Sequence, residues 1–125
     1  MVNSGLLRIP GTLYTGRTIN LADIKNSAVV ANVDILAEAL QPTYYPMSFF
    51  IIYCTFDDTG SLKIRRHFND LNVTKDETLN EGYPFYASAA YIFSFLVSSD
   101  ETINFQYSQN TTVTKLAVIE SQVIE

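Results

Sequence analysis

One cysteine, one histidine and no tryptophan occur in the 125 residues, and 8 lysines and arginines stand against 13 aspartates and glutamates. Each scarcity closes off a class of protein. Cys54 alone makes neither an intramolecular disulfide nor a thiolate metal cage. His67 alone rules out a multi-histidine metal site. A net charge of −5 and a pI near 4.7 supply no overall cationic field for nucleic acid or an anionic membrane. The longest apolar runs, such as Met47–Cys54, fall short of the ~20 residues of a membrane helix. Phosphate-binding glycine loops, G-x-S-x-G, H-E-x-x-H and EF-hand spacings are all missing. The stretch "MVNSGLLRIPGTLY" has no basic start, long apolar core and small-residue cleavage site, so folding in the cytosol of the producing cell is expected. No catalytic residues, no cofactor and no metal are therefore expected.

What is abundant is strand-forming material. Hydrophobic residues make up 47% and aromatics 13%, enough for one domain over 1–125 with its own core. Residues 1–20 form a candidate N-terminal arm, in which Leu13 and Ile19 fit one or two short strands. In "SAVVANVDILAEALQP" (27–42), Val29, Val33, Leu36 and Leu40 follow helical spacing, while Ala31, Val33 and Ile35 alternate with Asn32 and Asp34. The valines and the β-rich remainder favour the strand. From Ser48 onward, "SFFIIYCTF", "SLKIRRHF", "AAYIFSFLV", "TINFQYS" and "TTVTKLAVIE" alternate with short polar turns. This pattern predicts an all-β antiparallel sandwich or barrel.

Alternation also predicts faces. Ile103, Phe105 and Tyr107 oppose Thr102, Asn104, Gln106 and Ser108, as in a half-buried strand. The run 49–56 is apolar on both faces, which a strand with one wet face is not. Phe50, Ile52, Cys54 and Phe56 make one set; Phe49, Ile51 and Tyr53 make the other. Together with Ile92 and Leu96 the second set forms a candidate interface of roughly 700 Å², scaled from aromatic burial. That reaches the ~300–600 Å² of the largest patch on a typical monomer. The expected cover is a neighbouring subunit; the alternative is that residues 1–20 or 37–47 fold back over it.

Other candidates are weaker in chemistry. "KIRRH" brings Lys63, Arg65, Arg66 and His67 into a basic patch, suited to an acidic neighbour or, against the acidic whole, nucleic acid. Asp57-Asp58, Asp76-Glu77 and Asp100-Glu101 fall in turn contexts, where acidic residues serve local hydrogen bonding. Asn72-Val73-Thr74 and Asn110-Thr111-Thr112 match the glycosylation sequon by coincidence if no export signal is present. Tyr44, Tyr45, Tyr83, Phe85 and Tyr86 lie in or beside turns, where a binding module presents aromatics.

The run "LNEGYPFYASAAYIFSFLVSSDETINFQYSQNTTVTKLAVIE" (79–120) resembles the final strands of single jelly-roll proteins: a glycine-containing turn, an aromatic strand, a polar corner, a "TINF"-like strand and a closing strand. Over roughly 47–120 the chain is similar to small jelly-roll capsid or spike proteins of icosahedral viruses, those of archaeal viruses being nearest in size. The resemblance implies a jelly-roll β-sandwich and a structural virion subunit, made in the host cytoplasm. It would assemble with itself and other virion proteins into a shell, ring or spike. Trimeric receptor- or glycan-binding heads of the tumour necrosis factor type are the alternative. Nucleoplasmin-like chaperones need a long acidic run, cupin enzymes several histidines and donor-strand pilus subunits an export signal; none is seen in this sequence.

Overall fold

The computed structural model describes residues 14–124 and contains seven strands, with no α-helix among them. They are β1 (Tyr14–Val29), β2 (Met47–Phe56), β3 (Leu62–Phe68), β4 (Val73–Thr78), β5 (Ala90–Ser98), β6 (Glu101–Tyr107) and β7 (Thr111–Ile124). Two antiparallel sheets, ordered β1-β7-β2-β5 and β4-β3-β6, face each other. The segment 30–40 runs along the free side of β6: Asn32 N and Ile35 N donate to Tyr107 O and Phe105 O, and Leu40 exchanges bonds with Ile103. Counting that segment with the second sheet, every connection except the β3–β4 hairpin passes from one sheet to the other. This is a β-sandwich of jelly-roll topology.

The core lies between the sheets, and alternation decides who enters it. Phe50, Ile52, Cys54 and Phe56 of β2 meet Leu62 and Ile64 of β3 and Ile103, Phe105 and Tyr107 of β6 in one buried cluster. Burial pushes the Cys54 thiol up to about 12, so it stays protonated and packs as a small hydrophobe. Tyr107 stacks on Phe56 with ring centroids 3.9 Å apart and donates its hydroxyl to Asp58 O at 2.6 Å. The turn before β3 has glycine because of that ring. A Cβ on Gly60 would lie 2.7 Å from Tyr107 Cε2. Gly60→Ala is therefore expected to cost about 1–3 kcal/mol by overpacking, read as a lowered urea midpoint. A midpoint matching the wild type would mean that Tyr107 yields freely.

Several local expectations need correction. Residues 14–29 form one long strand rather than short pieces within 1–20; shifts in register between Thr15 and Thr18 and between Asn20 and Ala22 disrupt its alternation. Leu13, and the arm up to it, lie outside the described residues. The strand expected over 27–42 ends at Val29. Beyond it the chain bulges between Ile35 and Leu40, where the Asn104 side chain replaces a strand partner by bonding both Leu36 N and Leu36 O. Asn104 and Gln106 are consequently buried, and β6 is covered on both faces. The sequence pattern also missed β4, a fully exposed edge strand whose residues after Val73 are all polar or charged.

Candidate functional site

Outward side chains of β2 and β5 meet across the ladder. Phe49 pairs with Leu96, Ile51 with Ser94 and Tyr53 with Ile92. On the other side of β2, Ile51 pairs with Ile119 and Tyr53 with Ala117, so the apolar surface continues onto β7. Phe49, Ile51 and Tyr53 are half-buried by these neighbours, whereas Ile92 is 63% and Leu96 40% exposed. Asp23, Lys25 and Lys115 bound this surface on the β1 side with charges of both signs. The 37–47 segment goes elsewhere. Thr43 N donates to the buried Glu120 carboxylate at 2.6 Å, and Pro46 O accepts from Ser99 N, holding this segment at the strand ends.

The strand carrying "KIRRH" is not a free cationic patch. Lys63 and Arg65 both pair with Asp76 of β4, at 3.4 and 2.8 Å. Burial would raise the Asp76 carboxyl, but the Arg65 hydrogen bond and the Arg65 and Lys63 charges outweigh it and hold the group below its ordinary value. His67 Nδ1 lies 2.9 Å from Thr74 Oγ1. Arg66 follows the inward phase of β3 with Leu62 and Ile64, and reaches across the open side of the sandwich. Its Nε donates to Glu77 at 2.5 Å, and its Nη1 to Leu96 O at 2.8 Å and Glu101 at 3.3 Å. Its guanidinium carbon lies 5.4 Å from the Phe95 ring centre. The acidic residues that neutralise the cluster are its cross-strand neighbours, which a linear reading separates by ten or more positions.

No protein family matches the chain, and no curated protein matches it. Solved structures similar to it include the following two. One comes from Bacillus endospore appendages, described as a novel family of disulfide-linked pili: TM-score 0.46, 11% identity, 98% of this chain and 100% of that one. The other is the tobacco streak virus coat protein dimer: TM-score 0.42, 12% identity, 96% of this chain and 92% of that one. Likeness at this level carries no inference about what the chain does.

The turn aromatics do not converge. Tyr44 and Tyr45 precede the first residue of β2, whereas Tyr83, Phe85 and Tyr86 lie near Gly60, beyond its last. Phe85 is not presented at all: it is 1% exposed and inserted among Phe56, Tyr91, Phe93 and Tyr107. Tyr45, Tyr83 and Tyr86 are exposed, in two places at opposite ends of β2.

One concave feature went unseen in the sequence. On the outer face of the second sheet, Arg65, His67, Thr74, Thr102 and Asn104 floor a cleft of about 270 Å³, walled by Asp34 and Ala39. Its wall exists because 36–39 loops away from β6, an irregularity that hydrophobic patterning does not encode. Among the described residues, no group of three or more metal-ligating side chains comes together.

Proposed function

We propose that this protein is a structural subunit that associates with copies of itself through the outer face of the β1-β7-β2-β5 sheet, and that the product is a shell, ring or spike of a virion. The carrying observation is the solvent exposure of Ile92 and Leu96 directly beside Phe49, Ile51 and Tyr53. Among the described residues nothing covers these two side chains, and apolar surface in water is a driving force for association. A second copy is the natural cover. Two such sheets can stack face to face at the ~10 Å spacing of a sandwich. The rim of Asp23, Lys25 and Lys115 supplies both charge signs, as a self-complementary contact requires. The virion assignment rests on the jelly-roll pattern of residues 47–120 and on the lack of recognisable catalytic motifs.

The test uses the two exposed positions, whose replacement leaves the core untouched. Light scattering of the wild type is expected to give a dimer or larger particle at micromolar concentration. Ile92→Glu/Leu96→Glu is expected to give monomers with an unchanged melting temperature. A wild type that stays monomeric, or a double variant that assembles normally, would remove this face from the proposal.

A further inference from the structure

We propose that the cleft on the outer face of the second sheet binds an acidic sugar: a hexose-sized ring bearing one carboxylate and several hydroxyls. This goes beyond the assembly reading and uses the opposite side of the molecule. The cleft's polar groups are each fixed on one side and open on the other. Arg65 spends Nε on Asp76, at 2.8 Å, and keeps its Nη edge. His67 spends Nδ1 on Thr74 and keeps Nε2. Asp34 accepts the Gln106 amide on Oδ1, at 2.8 Å, and keeps Oδ2. The Thr102 hydroxyl has no protein partner among the described residues, and it lines the same cleft.

Held side chains with free edges are preorganised, so a ligand meets them with little further loss of rotamer freedom. Their chemistry is bipolar. The Arg65 fork matches a carboxylate in two parallel hydrogen bonds. The Asp34 oxygen accepts only, Thr102 both donates and accepts, and the imidazole offers its second nitrogen. A compact polyanion such as phosphate would meet the Asp34 charge, a simple cation would meet Arg65, and a neutral sugar would give the Arg65 Nη edge no charged acceptor. A ring with a carboxylate at one position and hydroxyls at others satisfies the whole set. The cleft, at about 270 Å³, has room for one such ring. It is open to solvent rather than enclosed, which suits the terminal residue of a longer glycan better than a small free metabolite.

The experiment is a titration of ¹⁵N-labelled full chain, followed by amide shifts, with four probes: the methyl glycoside of N-acetylneuraminic acid, methyl glucuronide, methyl glucoside and glutamate. One or both acidic glycosides should move the amides around Asp34, Arg65, His67 and Thr102, with a dissociation constant on the order of a millimolar. Methyl glucoside and glutamate should bind at least about tenfold more weakly, a difference of about 1.4 kcal/mol. Arg65→Gln should abolish the preference for acidic over neutral sugar, and Asp34→Asn should weaken the acidic glycosides while leaving the fold's spectrum intact. Which acidic glycoside wins separates a sialic-acid from a uronic-acid source. Equal binding of methyl glucoside, equal binding of glutamate, or no shift of the cleft amides with either acidic sugar would each overturn the proposal.

Discussion

Replacing Arg66 with alanine is expected to remove about 3–5 kcal/mol of folding stability, the usual cost of stranding a buried charge. Arg66 and its partner Glu101 are shielded, with side chains 16% and 7% exposed. Glu101 opens β6 at the corner where the chain leaves β5, and its other oxygen accepts Ser98 N at 2.8 Å. Without the guanidinium, this carboxylate keeps one backbone donor and, among the described residues, no cation. The loss extends beyond charge, since the same side chain bonds Leu96 O and covers Phe95, tying β3 of one sheet to β5 of the other. The Glu77 contact adds little, because Glu77 is 54% exposed.

Three variants separate these contributions. Urea unfolding of Arg66→Ala should show the full loss, with an unchanged m-value if the denatured state is unaffected. Glu101→Gln should cost less, since the amide oxygen still accepts Ser98 N. Arg66→Met combined with Glu101→Leu should recover much of the stability, as apolar replacements of buried ion pairs often do. If Arg66→Ala lies within about 1 kcal/mol of wild type, the pair behaves as a surface contact and the cross-sheet clamp is absent in solution.

Arg66 also marks where the sequence was informative. It occupies the apolar phase of β3, between Ile64 and Phe68, and a charge in a core phase signals a buried partner. The pattern identifies the anomaly but not Glu101, which is 35 residues away. Glu120, in phase with Leu116 and Val118, is the same kind of signal; its partners are Ser48 and the backbone of Thr43. The clearly periodic strands were legible for this reason: β2, β3, β5, β6 and β7 each turn an alternating apolar set toward the core. What periodicity could not reach was β1, whose bulges reset its phase, and β4, which buries nothing. The same limit hid the cleft, because Ala39 reaches it from an irregular bulge and Asp34 from the segment leading into that bulge. The basic cluster misled because charge was summed along one strand, whereas Asp76 and Glu77 lie across the ladder.

Phe85→Ala is expected to destabilise the protein by about 3–5 kcal/mol, the cost of emptying a large buried aromatic site. Tyr83→Ala and Tyr86→Ala should each stay within about 0.5 kcal/mol, as exposed substitutions usually do. All three lie within four residues of one another, so segment composition predicts no difference between them. The structure separates them by what the ring touches. Phe85 sits 4.4 Å from the Tyr91 ring centre and 5.4 Å from that of Phe93, and meets Phe56 and Tyr107 edge-on. Its backbone is pinned as well, exchanging hydrogen bonds of 2.6 and 3.1 Å with Gly60. It therefore closes the end of the core where the β2–β3 turn and the chain before β5 come together. Tyr83 and Tyr86, at 69% and 65% exposure, leave that core intact when truncated. The Pro84 between Tyr83 and Phe85 has no amide hydrogen to contribute, so the anchoring here depends on the ring and on the Gly60 bridge. Equilibrium unfolding of the three variants decides the matter: similar small losses in all three would return Phe85 to the surface, whereas a large loss confined to Phe85 would fix it as the plug of the aromatic core.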